Sequence, residues 1–171
     1  LPGYKPTIKG NPRQIHHAIR LLRESERPLL YVGGGAITAN AHHEIQQLAE
    51  YFQIPVTTTL MGKGAFDEHH PLSVGMLGMH GTAYANFAVS ECDLLIAVGA
   101  RFDDRVTGKL DAFSPGSKKI HIDIDRSSIN KTVSVELGIV GDCATMRLDE
   151  DVALSEGQDV EKQLDRCREA A

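Results

Sequence analysis

Charged side chains follow directly behind one apolar segment of this sequence. Residues 94–98 read Leu-Leu-Ile-Ala-Val, which indicates a strand buried on both faces, as in a parallel sheet. After Gly99 come four charged residues: Arg101, Asp103, Asp104 and Arg105. Arginine suits phosphate binding or stacking on a ring, and aspartate suits ribose hydroxyls. Open α/β sheets bind ligands at the carboxyl ends of such strands, so the cluster is a candidate site. A surface turn with two ion pairs is the alternative.

A run of three glycines, Gly33, Gly34 and Gly35, separates the apolar residues 29–32 from a helical pattern. This is the context of a dinucleotide fingerprint, in which glycines let a pyrophosphate approach the backbone. The last glycine of that fingerprint is missing, and the next predicted strand ends in threonines, not in an acidic residue. The pattern therefore disfavours a standard NAD site. The alternative interpretation is a tight turn that needs small residues.

Two further stretches combine residue types that suit a flat, sugar-bearing ligand. Leu77-Gly78-Met79-His80-Gly81 places a polarisable thioether in a glycine-rich loop, which suits packing on an aromatic ring. The alternative is a core loop in which Met79 fills a gap and His80 bonds to backbone. Asp123 and Asp125 end one predicted strand and Asp142 follows another, so these carboxylates are placed like those that bind a ribose.

Predicted strands alternate with predicted helices along the chain. Apolar segments predict strands at residues 29–32, 54–59, 94–98, 119–124 and 137–140, and residues 71–81 are predicted to be a loop. Asn11 and Thr82 are expected to cap helices, and Ser127 or Ser128 a short one. We expect an α/β, Rossmann-like single domain, with a parallel sheet of about five or six strands and helices on both faces. Residues 1–10 are interpreted as a linker, residues 11–142 as the domain, and residues 143–171 as an atypical, partly helical or disordered segment.

Composition narrows the class of protein. The 171 residues include 42% apolar and 24% charged residues and carry a net charge of −5. The sequence therefore lacks the excess of positive charge that is typical of nucleic-acid-binding proteins. No apolar stretch approaches the roughly 20 residues that span a bilayer. Three widely spaced cysteines argue against a disulfide scaffold and fit a reducing compartment. Eight scattered histidines, none at ligand spacing to a cysteine, indicate no metal site.

Several strings together resemble a known family. They are Leu30-Tyr-Val-Gly-Gly-Gly35, Thr59-Leu-Met-Gly62, Met76-Leu-Gly-Met-His-Gly81, Gly99-Ala-Arg-Phe-Asp-Asp-Arg-Val-Thr-Gly-Lys109 and His121-Ile-Asp-Ile-Asp125. Residues 1 to about 142 resemble the central domain of the acetohydroxyacid synthase (acetolactate synthase) catalytic subunit, a thiamine-diphosphate-dependent transferase. Pro2-Gly-Tyr-Lys-Pro6 looks like that enzyme's linker from its first domain.

The resemblance implies a flavoprotein of branched-chain amino-acid biosynthesis. The family enzyme condenses two pyruvates, or pyruvate and 2-oxobutyrate, and its central domain binds FAD without net redox chemistry. The FAD would be lined by Gly33, Gly34, Gly35, Thr59, Leu60, Leu77, Gly78, Met79, His80, Gly81, Gly99, Ala100, Arg101, Phe102, Asp103, Asp123, Ile124 and Asp142. Asp104 and Arg105 match the substrate and inhibitor channel, with Met79 and His80 nearby. No catalytic or metal-binding residue is implied in this chain.

The same resemblance sets expectations for partners and location. The family's thiamine diphosphate and Mg²⁺ belong to its first and third domains, so we expect neither group, nor synthase turnover, in this chain alone. The complete enzyme is expected to be a homodimer with a regulatory subunit, in the cytoplasm or the plastid stroma, without nucleic-acid or membrane partners. Two alternatives stay open: a folded module without cofactor, and the equivalent domain of a related oxidase or carboligase.

Overall fold

Six parallel strands form one sheet in the computed structural model, which describes residue 3 and residues 5–145. The strands are β1 (Pro28–Val32), β2 (Val56–Thr58), β3 (Ser73–Met76), β4 (Leu94–Val98), β5 (Lys118–Asp123) and β6 (Leu137–Val140). The helices are α1 (Pro12–Glu24), α2 (Gly34–Thr38), α3 (His42–Phe52), α4 (Ala83–Glu91) and α5 (Asp104–Thr107). The strand order is β3-β2-β1-β4-β5-β6, with every neighbouring pair parallel. The expected Rossmann-like α/β architecture is confirmed.

Side chains alternate between the two faces of the sheet and build two separate cores. Leu30, Val32 and Ile96 point to the face that α1 and α3 cover. Leu29 and Tyr31 point to the opposite face, which α4 and the segment after β4 cover. Because both faces are buried, the central strand β4 is apolar at every position, as the sequence predicted. Helices on both faces are likewise confirmed.

The edge strand β3 corrects one prediction, because residues 71–81 were expected to be a loop. Gly75 interrupts the strand pattern in the sequence, and its φ of +84° is a conformation that glycine adopts readily. The strand exists because it pairs with β2, and the register shifts between Val56 and Thr57 at that point. Thr57 donates its hydroxyl to the Gly75 carbonyl at 2.9 Å. Pairing with a neighbour, which local sequence does not show, thus adds the sixth strand.

Capping side chains begin the helices largely where the sequence placed them. Asn11 accepts from the Arg13 amide at 3.0 Å, and Thr82 accepts from the Ala85 amide at 3.1 Å. Ser127 and Ser128 do not cap the turn that follows β5. Asp125 does so, accepting from the Ser127 amide at 2.9 Å, because its carboxylate reaches a free amide two residues on.

The two ends of the described chain meet beside β6. The Asp142 amide and the Thr145 hydroxyl both donate to the Ile8 carbonyl, at 2.7 and 2.8 Å. Residues 143–145 form a single 3₁₀ turn. The rest of the C-terminal segment, which was predicted to be partly helical or disordered, comprises residues 146–171 and lies outside the described residues.

Asp93 joins the start of β4 to the turn between α1 and β1. Its carboxylate accepts from the Ser25 hydroxyl and from the amides of Glu26 and Arg27. Burial raises the pKa of Asp93, but these hydrogen bonds outweigh that effect and hold the pKa below its usual value.

We expect Asp93→Asn to lose about 1 kcal/mol of stability at neutral pH, since part of this network is lost. The folded state has the lower pKa, so its contribution is complete above the unfolded pKa of about 3.9 and is lost as the pH falls through the folded value. Urea unfolding of both chains across the acid range checks this. A difference between the chains that stays constant down to strongly acidic pH would contradict it.

Both described cysteines are buried. Burial raises the pKa of Cys92, and burial with the negative charges of Asp123 and Asp142 raises the pKa of Cys143 to about 12. Since the thiolate is the reactive form, we expect a chain with Cys167→Ser to react slowly with a disulfide reagent at neutral pH and rapidly once denatured. Rapid reaction of the native chain with either thiol would contradict the burial.

Candidate functional site

A cleft of about 810 Å³ opens at the carboxyl ends of β1 and β4. In the order β3-β2-β1-β4-β5-β6, the chain leaves β1 toward β2 on one side and leaves β4 toward β5 on the other. The connections therefore diverge between these two strands and leave a crevice, the place where open α/β sheets bind ligands. A volume of this size suits a small molecule or a dinucleotide.

Twelve of the candidate site residues singled out in the sequence line this cleft. They are Gly33, Gly34, Gly35, Thr59, Leu60, Gly99, Ala100, Arg101, Asp103, Arg105, Asp123 and Asp125. They come from the ends of β1, β2, β4 and β5 and from the connections that follow. Because parallel strands share one carboxyl edge, loops far apart in sequence converge there.

The glycine turn after β1 packs against the end of β4. The Gly33 amide donates to the Val98 carbonyl at 2.9 Å, and the Gly35 amide donates to the Gly99 carbonyl at 3.0 Å. A Cβ at Gly33 would lie 2.2 Å from the Gly99 carbonyl oxygen. These glycines therefore let two backbones touch, which matches the tight-turn alternative. Two of the three amides already have partners, so the turn differs from an open phosphate-binding loop.

Phe102 anchors the charged loop after β4. Its backbone has a φ of +55°, a left-handed conformation that turns the ring into the core. The buried ring packs on Tyr31, Phe113 and His121, at centroid distances of 5.5, 5.9 and 5.1 Å. Phe102 is thus a core residue in the structure, outside the cleft lining, and it fixes the loop whose neighbouring residues reach the cleft.

Arg101 and Asp103 flank this buried ring and extend into the cleft. The Arg101 guanidinium bonds the Asp103 carboxylate at 3.1 Å, and both side chains are largely exposed. Burial raises the pKa of Tyr31, and the nearby negative charge of Asp103 raises it further, so the phenol stays neutral. An exposed ion pair of this kind contributes little to stability and is free to exchange partners with a ligand.

Carboxylates form the β5 side of the cleft. The nearly buried Asp123 accepts from the Asp125 amide at 2.8 Å. Asp125 accepts in turn from the Ser127 amide and hydroxyl, and these bonds hold the pKa of Asp125 below its usual value. Both aspartates therefore present hydrogen-bond acceptors to the cleft, which Arg101 and Arg105 also line.

The Met79 loop lies next to the Arg101 loop, at the same edge of the sheet. The Met79 amide donates to the Arg105 carbonyl at 3.2 Å, and a Cβ at Gly78 would lie 2.8 Å from that oxygen. Met79 is 73% exposed, whereas Leu77 is buried in the core. Leu77, Gly78, Met79, His80 and Gly81 border the α5 turn and are outside the cleft lining. Asp104 is the first residue of α5.

Two other predicted residues lie apart from the cleft lining. Ile124 is 38% exposed, between Asp123 and Asp125. The Asp142 carboxylate accepts from the Ala144 amide at 2.9 Å, and the Asp142 amide bonds Ile8. Asp142 thus stabilises the turn after β6, close to the N-terminal segment.

Sequence reasoning missed five residues that line the cleft: Tyr31, Thr38, Met61, Val106 and Ser128. Thr38 lies one helical turn after Gly34, to whose carbonyl its hydroxyl donates at 3.2 Å, so helical spacing could have identified it. Met61 belongs to the string that supplied Thr59 and Leu60. Nothing in the sequence marked Tyr31 as a cleft residue, because it belongs to a run of core residues in β1.

Fold and cleft together define a Rossmann-like domain with a ligand crevice at its switch point. The chain belongs to the family of the thiamine pyrophosphate enzyme central domain, whose sequence profile matches residues 15–148. Its curated relatives include acetolactate synthases, and the resemblance inferred from the motifs is confirmed.

Identity to these relatives is high but covers only part of their length. An acetolactate synthase of Arthrospira platensis is 65% identical over 143 residues, which are 82% of this chain and 25% of the relative. A large subunit of Cyanidium caldarium is 60% identical, over 81% of this chain and 24% of the relative. A probable large subunit of Methanocaldococcus jannaschii is 53% identical, over 99% of this chain and 29% of the relative.

The chain thus spans about a quarter of the length of the curated relatives it matches. Among the described residues, no group of three or more His, Cys, Asp or Glu side chains could hold a metal ion. In the same part of the chain, no helix has the length and apolar character to cross a bilayer.

Proposed function

We propose that this chain is the FAD-binding central domain of an acetolactate synthase large subunit. The observation that carries the proposal is the cleft at the switch point between β1 and β4, lined by arginines and aspartates. A dinucleotide combines a negatively charged diphosphate with sugar hydroxyls and flat rings. Arginine suits the diphosphate and aspartate suits the hydroxyls, so both kinds of group in the cleft match this ligand.

The residues present fit the flavin dinucleotide in three respects. Four positions of the cleft lining, Gly33, Gly34, Gly35 and Gly99, carry no side chain, so a ligand would meet backbone there, although an added Cβ at each would point at neighbouring protein atoms. Arg101 would face the diphosphate, and Asp123 and Asp125 would accept from ribose hydroxyls. Ala100 and Leu60 offer apolar contacts for a ring. FAD would serve here without net redox chemistry in the main reaction, as the family resemblance implies.

The complete enzyme would condense two pyruvates, or pyruvate and 2-oxobutyrate, in branched-chain amino-acid biosynthesis. Thiamine diphosphate and Mg²⁺ would bind in parts of the enzyme beyond this chain, which holds none of its catalytic residues in our proposal. Asp104 and Arg105 would border the substrate and inhibitor channel. Arg105 lines the cleft, and the Met79 loop contacts its backbone, so the channel would adjoin the flavin.

An exposed apolar surface supports docking of the remaining domains of the subunit. Met79, Tyr84 and Phe87 are 73%, 78% and 67% exposed, and the two aromatics lie one turn apart on α4. Exposed aromatic residues in this arrangement are typical of an interface. A homodimer with a regulatory subunit, in the cytoplasm or a plastid stroma, completes the proposal.

Titration of the purified chain with FAD tests the proposal. The absorbance and fluorescence of the flavin are expected to change as the ring enters the cleft, and the protein is expected to stay yellow after gel filtration. Riboflavin, which lacks the phosphates and the adenosine, is the matched ligand control and is expected to bind much more weakly. Unchanged FAD fluorescence at high protein concentration would favour the alternative of a folded module without cofactor.

A further inference from the structure

His121 is a buried imidazole whose ring nitrogens are unsatisfied. Its side chain has no exposed surface, and neither Nδ1 nor Nε2 has a hydrogen-bond partner among the described residues. It lies on β5, on the face opposite Ile120 and Ile122, which belong to the core under α1 and α3. A buried polar group without a partner destabilises the folded state, so its presence calls for a physical reason.

An apolar side chain of similar size would suit the immediate surroundings better. The imidazole packs edge-on against Phe102, with ring centroids 5.1 Å apart and an interplanar angle of 83°. Phe102 in turn packs against the rings of Tyr31 and Phe113. A phenylalanine at position 121 would keep an aromatic contact and remove the unpaired nitrogens. Packing alone therefore does not explain a histidine here.

The neighbouring cleft residue Asp123 offers a reason for a histidine at position 121. His121 Nε2 lies 3.7 Å from Asp123 Oδ2, just beyond hydrogen-bond length, and both residues point to the same side of β5. The other carboxylate oxygen, Asp123 Oδ1, accepts from the Asp125 amide at 2.8 Å. A small rotation of the carboxyl group, whose torsion is broad, brings Oδ2 within reach of the imidazole. Asp123 itself lines the cleft.

We propose that His121 is a positioning residue that orients the Asp123 carboxylate from behind the cleft. With a proton on Nε2, the imidazole donates to Oδ2 while the Asp125 amide donates to Oδ1, so the carboxylate is held at both oxygens. A carboxylate fixed in this way presents its remaining acceptor positions to the sugar hydroxyls of a dinucleotide. That last step rests on the proposed FAD-binding function, whereas the orientation of Asp123 does not.

Three single variants and one double variant test the proposal. His121→Phe keeps the aromatic packing and removes the donor, whereas His121→Gln keeps an N–H donor near the position of Nε2. Asp123→Asn changes the group that is positioned, and His121→Phe combined with Asp123→Asn tests whether the two residues act together. The amide proton of Asp125 in the NMR spectrum reports the orientation of Asp123 without any ligand. Thermal unfolding reports the stability of each chain.

In the free protein, we expect His121→Phe to unfold at the same or a higher temperature than the unchanged chain. The Asp125 amide signal should nevertheless move upfield and exchange faster, because Asp123 becomes free to rotate, and His121→Gln should restore both properties. A His121→Phe chain that is less stable and has an unmoved Asp125 amide would show that His121 only packs. That result overturns the proposal whether or not the chain binds FAD.

With FAD, we expect His121→Phe to weaken binding about tenfold, because Asp123 is no longer held in the orientation in which it accepts from the ligand. His121→Gln should bind nearly as well as the unchanged chain, and His121→Phe should have no further effect in the Asp123→Asn background. Equal losses from His121→Phe in both backgrounds would overturn the proposed link to Asp123. Failure of the unchanged chain to bind FAD would reject the proposed function, and the Asp125 amide would still decide the role of His121.

Discussion

Replacing Gly33 by alanine is expected to cost about 3 kcal/mol or more in the free energy of unfolding. The new Cβ would lie 2.2 Å from the Gly99 carbonyl oxygen and 2.6 Å from the Ala100 Cα, which are backbone atoms that no side-chain rotation can remove. The ends of β1 and β4 would have to separate, and the hydrogen bond from the Gly33 amide to the Val98 carbonyl would be strained. Urea unfolding measures the loss.

Two other glycines provide matched controls for this substitution. Gly116 has no atom within 4 Å of an added Cβ and has ordinary backbone, so Gly116→Ala should leave stability nearly unchanged. Gly108 is equally open but has a φ of +56°, so Gly108→Ala should show the cost of backbone strain alone, about 1 kcal/mol. A Gly33→Ala chain as stable as the Gly116→Ala chain would contradict the close approach of β1 and β4.

Arg101→Glu is expected to have the largest effect on the proposed flavin binding among surface substitutions, a roughly hundredfold loss of affinity. The change replaces a positive charge in the cleft by a negative one, next to Asp103, where a diphosphate would otherwise be neutralised. Folding should be affected little, since the Arg101 side chain is 72% exposed and its ion pair is on the surface. Fluorescence titration with FAD gives the affinity.

Arg20→Glu is the matched control for Arg101→Glu, because it changes the net charge equally at an exposed position of α1 outside the cleft. It should bind FAD like the unchanged chain. Added salt should weaken FAD binding to the unchanged chain, since screening reduces exposed charge interactions. Equal losses in the two variants would show a general effect of net charge and would argue against a specific role of Arg101.

The central strands and the first helix were predictable because their sequence patterns are local. Five successive apolar residues identify β4, and Asn11 followed by proline identifies the start of α1. The edge strand β3 was not predictable, since Gly75 interrupts its pattern and only pairing with β2 forms the strand. A local sequence pattern thus predicts a strand or helix that its own residues stabilise. It does not predict a strand, such as β3, that forms only by pairing with a neighbouring strand.

The position of the cleft was predictable for a topological reason, whereas its full lining was not. Strands that end in glycine, arginine or aspartate share one edge of a parallel sheet, so Gly33, Arg101 and Asp123 converge. Phe102 is adjacent to two cleft residues but points into the core, because of a left-handed backbone conformation that the sequence does not reveal. Tyr31 reaches the cleft from a strand that otherwise builds the core.

The most direct test of the central claim maps where FAD contacts the chain, using the backbone amide signals of the protein during an NMR titration. We expect the largest changes at Gly34, Arg101 and Asp125, on the three loops that surround the switch point between β1 and β4. Changes confined to the opposite edge of the sheet, near Asp93 and Ser117, or to the turn at Asp142, would contradict a dinucleotide site in this cleft.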